Sequence, residues 1–162
     1  MSVQCHHDHD QCIRDALDQA ERICARRGAR LTPVRRRVLE EIWQDHEAIK
    51  AYEILDRLSA EGQTVKPPTV YRALEFLLDQ GLIHRVESLN AFVGCGRPHE
   101  QHDFQLFICQ SCGHIEEFDQ PDIGRLIARE ADQRDFAIGQ QTIEVKGLCA
   151  RCRNGAPTRI DQ

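Results

Sequence analysis

The sequence predicts an α+β chain, with an N-terminal winged helix-turn-helix domain followed by a small C-terminal α/β domain. Three observations lead there. Segments of helical period fill residues 13 to 80; after Gly81 the period becomes strand-like; and two Cys-x-x-Cys pairs, Cys109/Cys112 and Cys149/Cys152, bracket a short mixed segment. With 162 residues, 41% of them hydrophobic, the chain can build one ordinary core or two small ones, and two small domains is the reading taken.

The first helix is "CIRDALDQAERICARRG". Ile13, Leu17, Ala20, Ile23 and Cys24 share one stripe, and Gly28 is a suitable stop. Cys24 is therefore read as a core residue, because a reduced cysteine packs as a small hydrophobe. In "LTPVRRRVLEEIWQD", Thr32 is the expected N-cap and Pro33 the first helical residue, with Val34, Val38, Leu39 and Ile42 facing inward. A third helix is expected from Ala51 to Glu61 on Ile54, Leu55 and Leu58. A fourth begins at "KPPT" and runs through "VYRALEFLLDQ", its core face formed by Val70, Leu74, Leu77 and Leu78. "LIHRVES" and "AFVGC" then read as a β-hairpin turning around Leu89 and Asn90. Helices followed directly by such a hairpin make the fourth helix a recognition helix, its first residues presented to the major groove.

"GCGRPHEQHD" reads as a hinge. Beyond it the pattern is a strand from Phe104 to Cys109, a knuckle at Gly113, a strand from His114 to Phe118, a helix from Pro121 to about Arg134, a strand from Phe136 to Lys146, and "GLCARC". This segment is too small to be stable unaided.

Nothing after Met1 has the form of a signal peptide, and no run approaches the ~20 apolar residues of a membrane span. A cytoplasmic protein is expected. Thiols are kept reduced there, so eight cysteines argue for metal binding or redox work before disulfides. The net charge of −5 excludes a uniformly basic surface, yet seven arginines and no acid lie between Arg22 and Arg37. Such a stripe suits docking on phosphate; an ordinary solvated helix face is the alternative.

One Cys-x-x-Cys pair supplies two thiolates along an edge of a tetrahedron, and a second pair supplies the opposite edge. Cys109, Cys112, Cys149 and Cys152 are accordingly read as a structural zinc site, residues 113 to 148 forming the loop between the pairs. A thioredoxin-like motif fits poorly, since no parallel βαβ pattern follows either pair. His114-Ile115-Glu116 with Cys149 and Cys152 imitates the signature of zinc-dependent nucleobase deaminases. Against that reading, Leu148 stands where the signature has proline, and Cys109 and Cys112 are left without a role. No enzymatic activity is expected. Around the hinge gather His84, Cys95, His99, His102 and Glu117, whose imidazole, thiolate and carboxylate groups suit zinc better than iron, manganese or magnesium.

"LTPVRRRVLEEI", "KPPTVYRALEFLLDQGLIHRVES" and "FICQSCGHIEEF" together resemble the ferric uptake regulator family, and within it the zinc uptake regulator branch, over roughly Ile13 to Cys152. The resemblance implies a homodimeric, metal-activated repressor of operator DNA with two zinc ions per protomer. It implies a regulatory site of His84, Cys95, His102 and Glu117, with His99 a bystander, beside the four-cysteine structural site. The iron-sensing branch carries histidines at the positions of Phe104 and Leu106 and an inter-domain histidine near Ala48. Their loss here, with Cys95 gained, favours zinc over iron, manganese or nickel. The implied organisation is a flexible His/Cys-containing tail (1–12), a winged-helix DNA-binding domain (13–93), a hinge with metal ligands (94–103), a zinc-clipped dimerisation domain (104–153) and a C-terminal tail (154–162). For DNA, Arg72 is the expected base reader, Thr69 and Tyr71 lie nearer the backbone, and Arg36 is placed toward phosphate. "CHHDHDQC" lies outside the resemblance. It is read as a tail, with weak zinc binding through Cys5, His6, His7, His9 and Cys12 as the alternative.

Overall fold

The structure, a computed structural model, describes residues 9–45, 47–60, 62, 65–98, 104–139 and 141–155. The chain divides into two compact units, Met1–Glu100 and Gln101–Gln162.

In the first unit, helices α1 (His9–Arg26), α2 (Pro33–Trp43), α3 (Ala51–Ala60) and α4 (Pro67–Asp79) precede an antiparallel hairpin of β1 (Ile83–Val86) and β2 (Ala91–Gly94). Helix α1 takes in the last four residues of the expected tail, His9 to Cys12. Its first turn is held by side-chain bonds from Gln11 Nε2 to Asp15 Oδ1 (2.7 Å) and from Arg14 Nη2 to Gln11 Oε1 (3.0 Å). Cys5, His6 and His7 lie outside the described residues, while His9 and Cys12 fall within α1. Thr32 caps α2, its hydroxyl accepting from the Arg35 amide at 3.5 Å, and Pro33 opens the helix.

The predicted apolar stripes form the core. Ile13, Leu17, Ala20, Ile23 and Cys24 of α1 meet Val38, Leu39 and Ile42 of α2, Ile54 and Leu58 of α3, and Val70, Ala73, Leu74 and Leu77 of α4. Cys24 is buried, and burial pushes its thiol up against the pull of Arg27 and Arg35. It is an inert core thiol. Glu41 is also buried and is held by Arg37 at 3.0 Å and Arg57 at 3.8 Å.

In the hairpin, a 3-10 turn over Glu87–Leu89 leads to Asn90 in the left-handed conformation, φ 48°. Asparagine tolerates that region better than most residues. The hairpin is joined to the helices by Ile49, which exchanges backbone bonds with Phe92 at 2.9 and 2.8 Å.

The second unit has a three-stranded sheet ordered β4-β3-β5, from β3 (Gln105–Cys109), β4 (Ile115–Phe118) and β5 (Ile143–Gly147), with helices α5 (Pro121–Asp132) and α6 (Ala150–Arg153). Strand β3 pairs antiparallel with β4 and parallel with β5. The last strand was expected from Phe136 but begins at Ile143. After α5 the chain turns through Asp135 at φ 52°, with the Phe136 amide bonded back to Ala131 O (3.0 Å), and Phe136 and Ile138 are exposed rather than paired. Helix α6 was not foreseen. Inside the sheet, Gln105 is fully buried; its Oε1 accepts from the Gln120 amide at 3.1 Å, which satisfies the group.

Two substitutions gauge the first unit. Leu77→Ala is expected to cost about 3 kcal/mol through the cavity it leaves, and Thr32→Ala about 1 kcal/mol through the lost cap. Urea unfolding followed by the fluorescence of Trp43, the single tryptophan, reports on this unit and gives both values.

Candidate functional site

The turn after β3 brings the first cysteine pair together. Gly113, at φ 73°, lets the chain reverse, with its amide bonded to Cys109 O at 3.0 Å and the Cys109 amide to His114 O at 2.9 Å. The parallel strand β5 then delivers the second pair to the same corner. Gln110 N donates to Gly147 O at 2.8 Å, and Cys149 becomes the residue that caps α6, so that Cys152 lies one turn on.

The four sulfurs of Cys109, Cys112, Cys149 and Cys152 lie within 4.8 Å of one another. Sulfurs arranged tetrahedrally about 2.3 Å from a zinc ion are about 3.8 Å apart, and Cys112 and Cys149 Sγ are separated by 3.8 Å. The donor set therefore fits a structural zinc. Its electrostatics are uneven. The Cys149 amide donates to Cys109 Sγ at 3.3 Å, and this bond above all holds Cys109 down at about 6 against the opposing effect of burial. The Ser111 hydroxyl pulls Cys152 down, but burial and the three neighbouring thiols outweigh it and push Cys152 up to about 12. Like charges at this spacing are stable together only beside a cation. Ser111 and Arg151, whose side chain bonds Cys112, were not singled out from the sequence. Both lie inside a Cys-x-x-Cys pair, which was the available signal.

In the first unit, His84 on β1 and Cys95 just after β2 are both buried, and their ligand atoms lie within 4.8 Å of each other. The Cys95 amide donates to Leu82 O at 3.0 Å, and the Leu82 amide to Leu77 O of α4 at 2.9 Å. Both side chains are thus tied through backbone bonds to the fourth helix. Glu117 stands half-buried on β4 of the second unit. His99 and His102 lie outside the described residues. His114 and Glu116 are exposed and, among the described residues, join no group of metal-ligating side chains.

Helix α4 turns Thr69, Tyr71 and Arg72 to the surface. A groove of about 430 Å³ runs beside them, lined by Lys50, Tyr52, Tyr71, Arg85 and Asn90 among others. Tyr52 is 57% exposed, with Lys50 Nζ 5.8 Å from its ring centre. Sequence reading passed over both, although Tyr52 stands off the apolar stripe of α3. The arginine run is not an open stripe. Arg35 stacks on Phe76 at 3.6 Å and donates to Arg30 O, Arg36 pairs with Glu21, and Arg37 pairs with Glu40 and Glu41.

Comparison with known proteins places this arrangement. The zinc uptake regulation protein of Escherichia coli (strain K12) is 43% identical over 140 residues, which is 86% of this chain and 82% of that protein. A solved structure of a zinc uptake regulator complexed with zinc and DNA matches with a TM-score of 0.84 at 42% identity, over 88% of this chain and 95% of that one. The crystal structure of holo XcZur matches with a TM-score of 0.80 at 41% identity, over 86% and 97%. The family model described as ferric uptake regulator matches residues 26–146, a span that holds α2, α3, α4, the hairpin and the first cysteine pair. The chain belongs to the ferric uptake regulator family.

Proposed function

We propose that the chain is a zinc-responsive transcriptional repressor that binds palindromic operator DNA as a zinc-loaded homodimer and controls genes of zinc uptake and homeostasis. The observation that carries this reading is the likeness, at 42% identity, to a zinc uptake regulator complexed with zinc and DNA. The pairing of a buried thiol, Cys95, with a buried imidazole, His84, supports zinc over harder ions. No reaction is assigned to the chain, and among the described residues no helix is long and apolar enough to cross a membrane.

Two zinc ions per protomer have separate tasks. Cys109, Cys112, Cys149 and Cys152 hold the first, which supplies the positive charge that converging thiolates require. His84, Cys95, His102 and Glu117 hold the second. His84 and Cys95 are fixed to the recognition helix through Leu82; His102 and Glu117 come from beyond Cys95 in the chain. A ligand set drawn from both units is satisfied in one relative orientation, and selecting that orientation is the switch. Dimerisation falls to the second unit, where Leu126, Phe136, Ile138, Val145 and Leu148 are exposed and apolar enough to seek cover. In the dimer, two copies of α4 meet two half-sites. Arg72 reads guanine, while Thr69, Tyr71 and Arg36 contact the backbone. The Arg36–Glu21 pair is exposed on both sides, so its loss on DNA would cost little.

DNA binding in anaerobic, metal-buffered titrations tests the reading as a whole. Zinc is expected to activate at lower free concentration than iron(II), manganese(II) or nickel(II); activation by iron(II) ahead of zinc would return the chain to iron sensing.

Arg72→Ala is expected to weaken operator binding by about 1 to 3 kcal/mol with some loss of base preference, read as the affinity ratio between specific and scrambled duplexes. The two metal sites should separate by phenotype. Structural zinc contributes on the order of 10 kcal/mol of apparent binding free energy to folding, so Cys112→Ser is expected to be unstable and largely monomeric. Cys95→Ser should stay dimeric and melt cooperatively while failing to bind operator when zinc is added, and Glu117→Ala should share that defect in milder form. Size-exclusion mass, thermal melting and zinc-dependent gel shifts distinguish them. Zinc affinity of the four-cysteine site should rise with pH, because binding must displace the proton that Cys152 holds up to about 12. Chelator competition across pH 6 to 8 measures the slope, which Cys152→Ser should lower by about one proton per zinc; an unchanged slope in that variant would remove Cys152 from the ligand set.

A further inference from the structure

Gly94 ends β2 and immediately precedes Cys95. Its φ lies outside the positive range, so no turn requires glycine there. Space does. A Cβ at this position would lie 2.3 Å from Trp43 Cε2, 2.6 Å from Nε1 and 2.7 Å from Cζ2. These are distances that close-packed atoms do not tolerate, and the neighbour is a rigid ring rather than the end of a flexible chain. Trp43 is the last residue of α2, half-buried and packed against the core. Helix α2 packs in turn on α4 and on β2. The backbone around Cys95 is therefore held from two directions: by its amide bond to Leu82 O at 3.0 Å, and by the indole of Trp43 against Gly94.

We propose that Trp43 is a positioning residue for the regulatory metal site: its indole, seated against the backbone of Gly94, sets where Cys95 presents its sulfur and joins that sulfur's position to α2. The inference rests on reading Cys95 as a regulatory zinc ligand. Residues that orient a ligand without touching the metal are commonly worth 10- to 100-fold in affinity. Because the ring meets backbone at van der Waals distance, a shift of Cys95 on ligation moves the environment of the indole as well.

The test uses the full-length dimer with its four-cysteine zinc in place. Zinc is added from a chelator buffer while tryptophan emission is followed. Emission is expected to change as the second equivalent binds. Gly94→Ala, which drives a methyl group into the ring, should weaken that second equivalent roughly tenfold or more, with the first zinc retained. Trp43→Phe should show a smaller loss. In Gly94→Ala/Trp43→Leu the methyl has room again but the indole is gone, so affinity should return only to the level of Trp43→Leu alone; chelator competition supplies the reading where the tryptophan is gone. Silent emission together with wild-type affinity in Gly94→Ala would overturn the proposal. If Gly94→Ala fails to fold, unchanged affinity in Trp43→Phe and Trp43→Leu overturns it instead. Cys95→Ser run in parallel separates the two levels. Wild-type binding of the second zinc by Cys95→Ser would remove the ligand assignment itself; loss there with no effect of the Trp43 variants would leave the assignment standing and remove only the role of Trp43.

Discussion

The convergence of four sulfurs at one corner is the constraint on which the second unit depends. Among its described residues, the buried ones are Gln105, Leu106, Ile108, Cys109, Cys112 and Ile115, all on β3, β4 or the turn between them. Helix α5 buries no residue fully, and neither does β5. So small an apolar interior cannot offset the entropy of ordering the segment. The proposed zinc tie across Cys109, Cys112, Cys149 and Cys152 would do what the missing core cannot, joining chain segments that are far apart in sequence. The parallel register of β5 on β3 and the single turn of α6 return Cys149 and Cys152 to the knuckle.

The first unit needs no such tie. Its four amphipathic helices bury an ordinary core, and the hairpin is anchored to them through Ile49, Phe92 and Leu82. This difference gives the two metal sites different physical meanings. In the proposed reading, zinc in the four-cysteine cluster is coupled to folding. The pair of His84 and Cys95 sits on a scaffold already held by packing, so the proposed ligation there would be free to act on orientation instead. Trp43 and Gly94 extend the same scaffold to within one residue of Cys95.

The surface proposed for DNA shows how packing sorts a charged run. Seven arginines in sequence suggested a continuous phosphate-binding stripe. Three of them, Arg35, Arg36 and Arg37, are instead engaged with Phe76, Glu21, Glu40 and Glu41, and Arg37 helps keep the buried Glu41 compensated. What α4 presents outward is a short polar edge of Thr69, Tyr71 and Arg72, extended by Lys50 and Tyr52 across the groove.

Local order was legible because it is periodic. Stripes such as Ile13, Leu17, Ala20 and Ile23, the Thr32-Pro33 start of α2, and the Cys-x-x-Cys spacing are written within a few residues of one another, and the structure follows them. Donor chemistry gathered His84 and Cys95 with His99, His102 and Glu117 around the hinge, and the resemblance to a known family chose among them. Other features depend on which segments meet. Phe136 and Ile138 looked like strand residues, since apolar character does not say whether it will face a sheet or a partner. The pull on Cys109 comes from an amide forty residues away at Cys149. Gly94 looked like a hinge glycine, and only the position of the Trp43 ring shows that it is required for space. Most elements and the donor chemistry could be read along the chain, because both are properties of neighbouring residues; which side chains share a site, and how their charges are tuned, came only with packing, because those depend on contacts between distant segments.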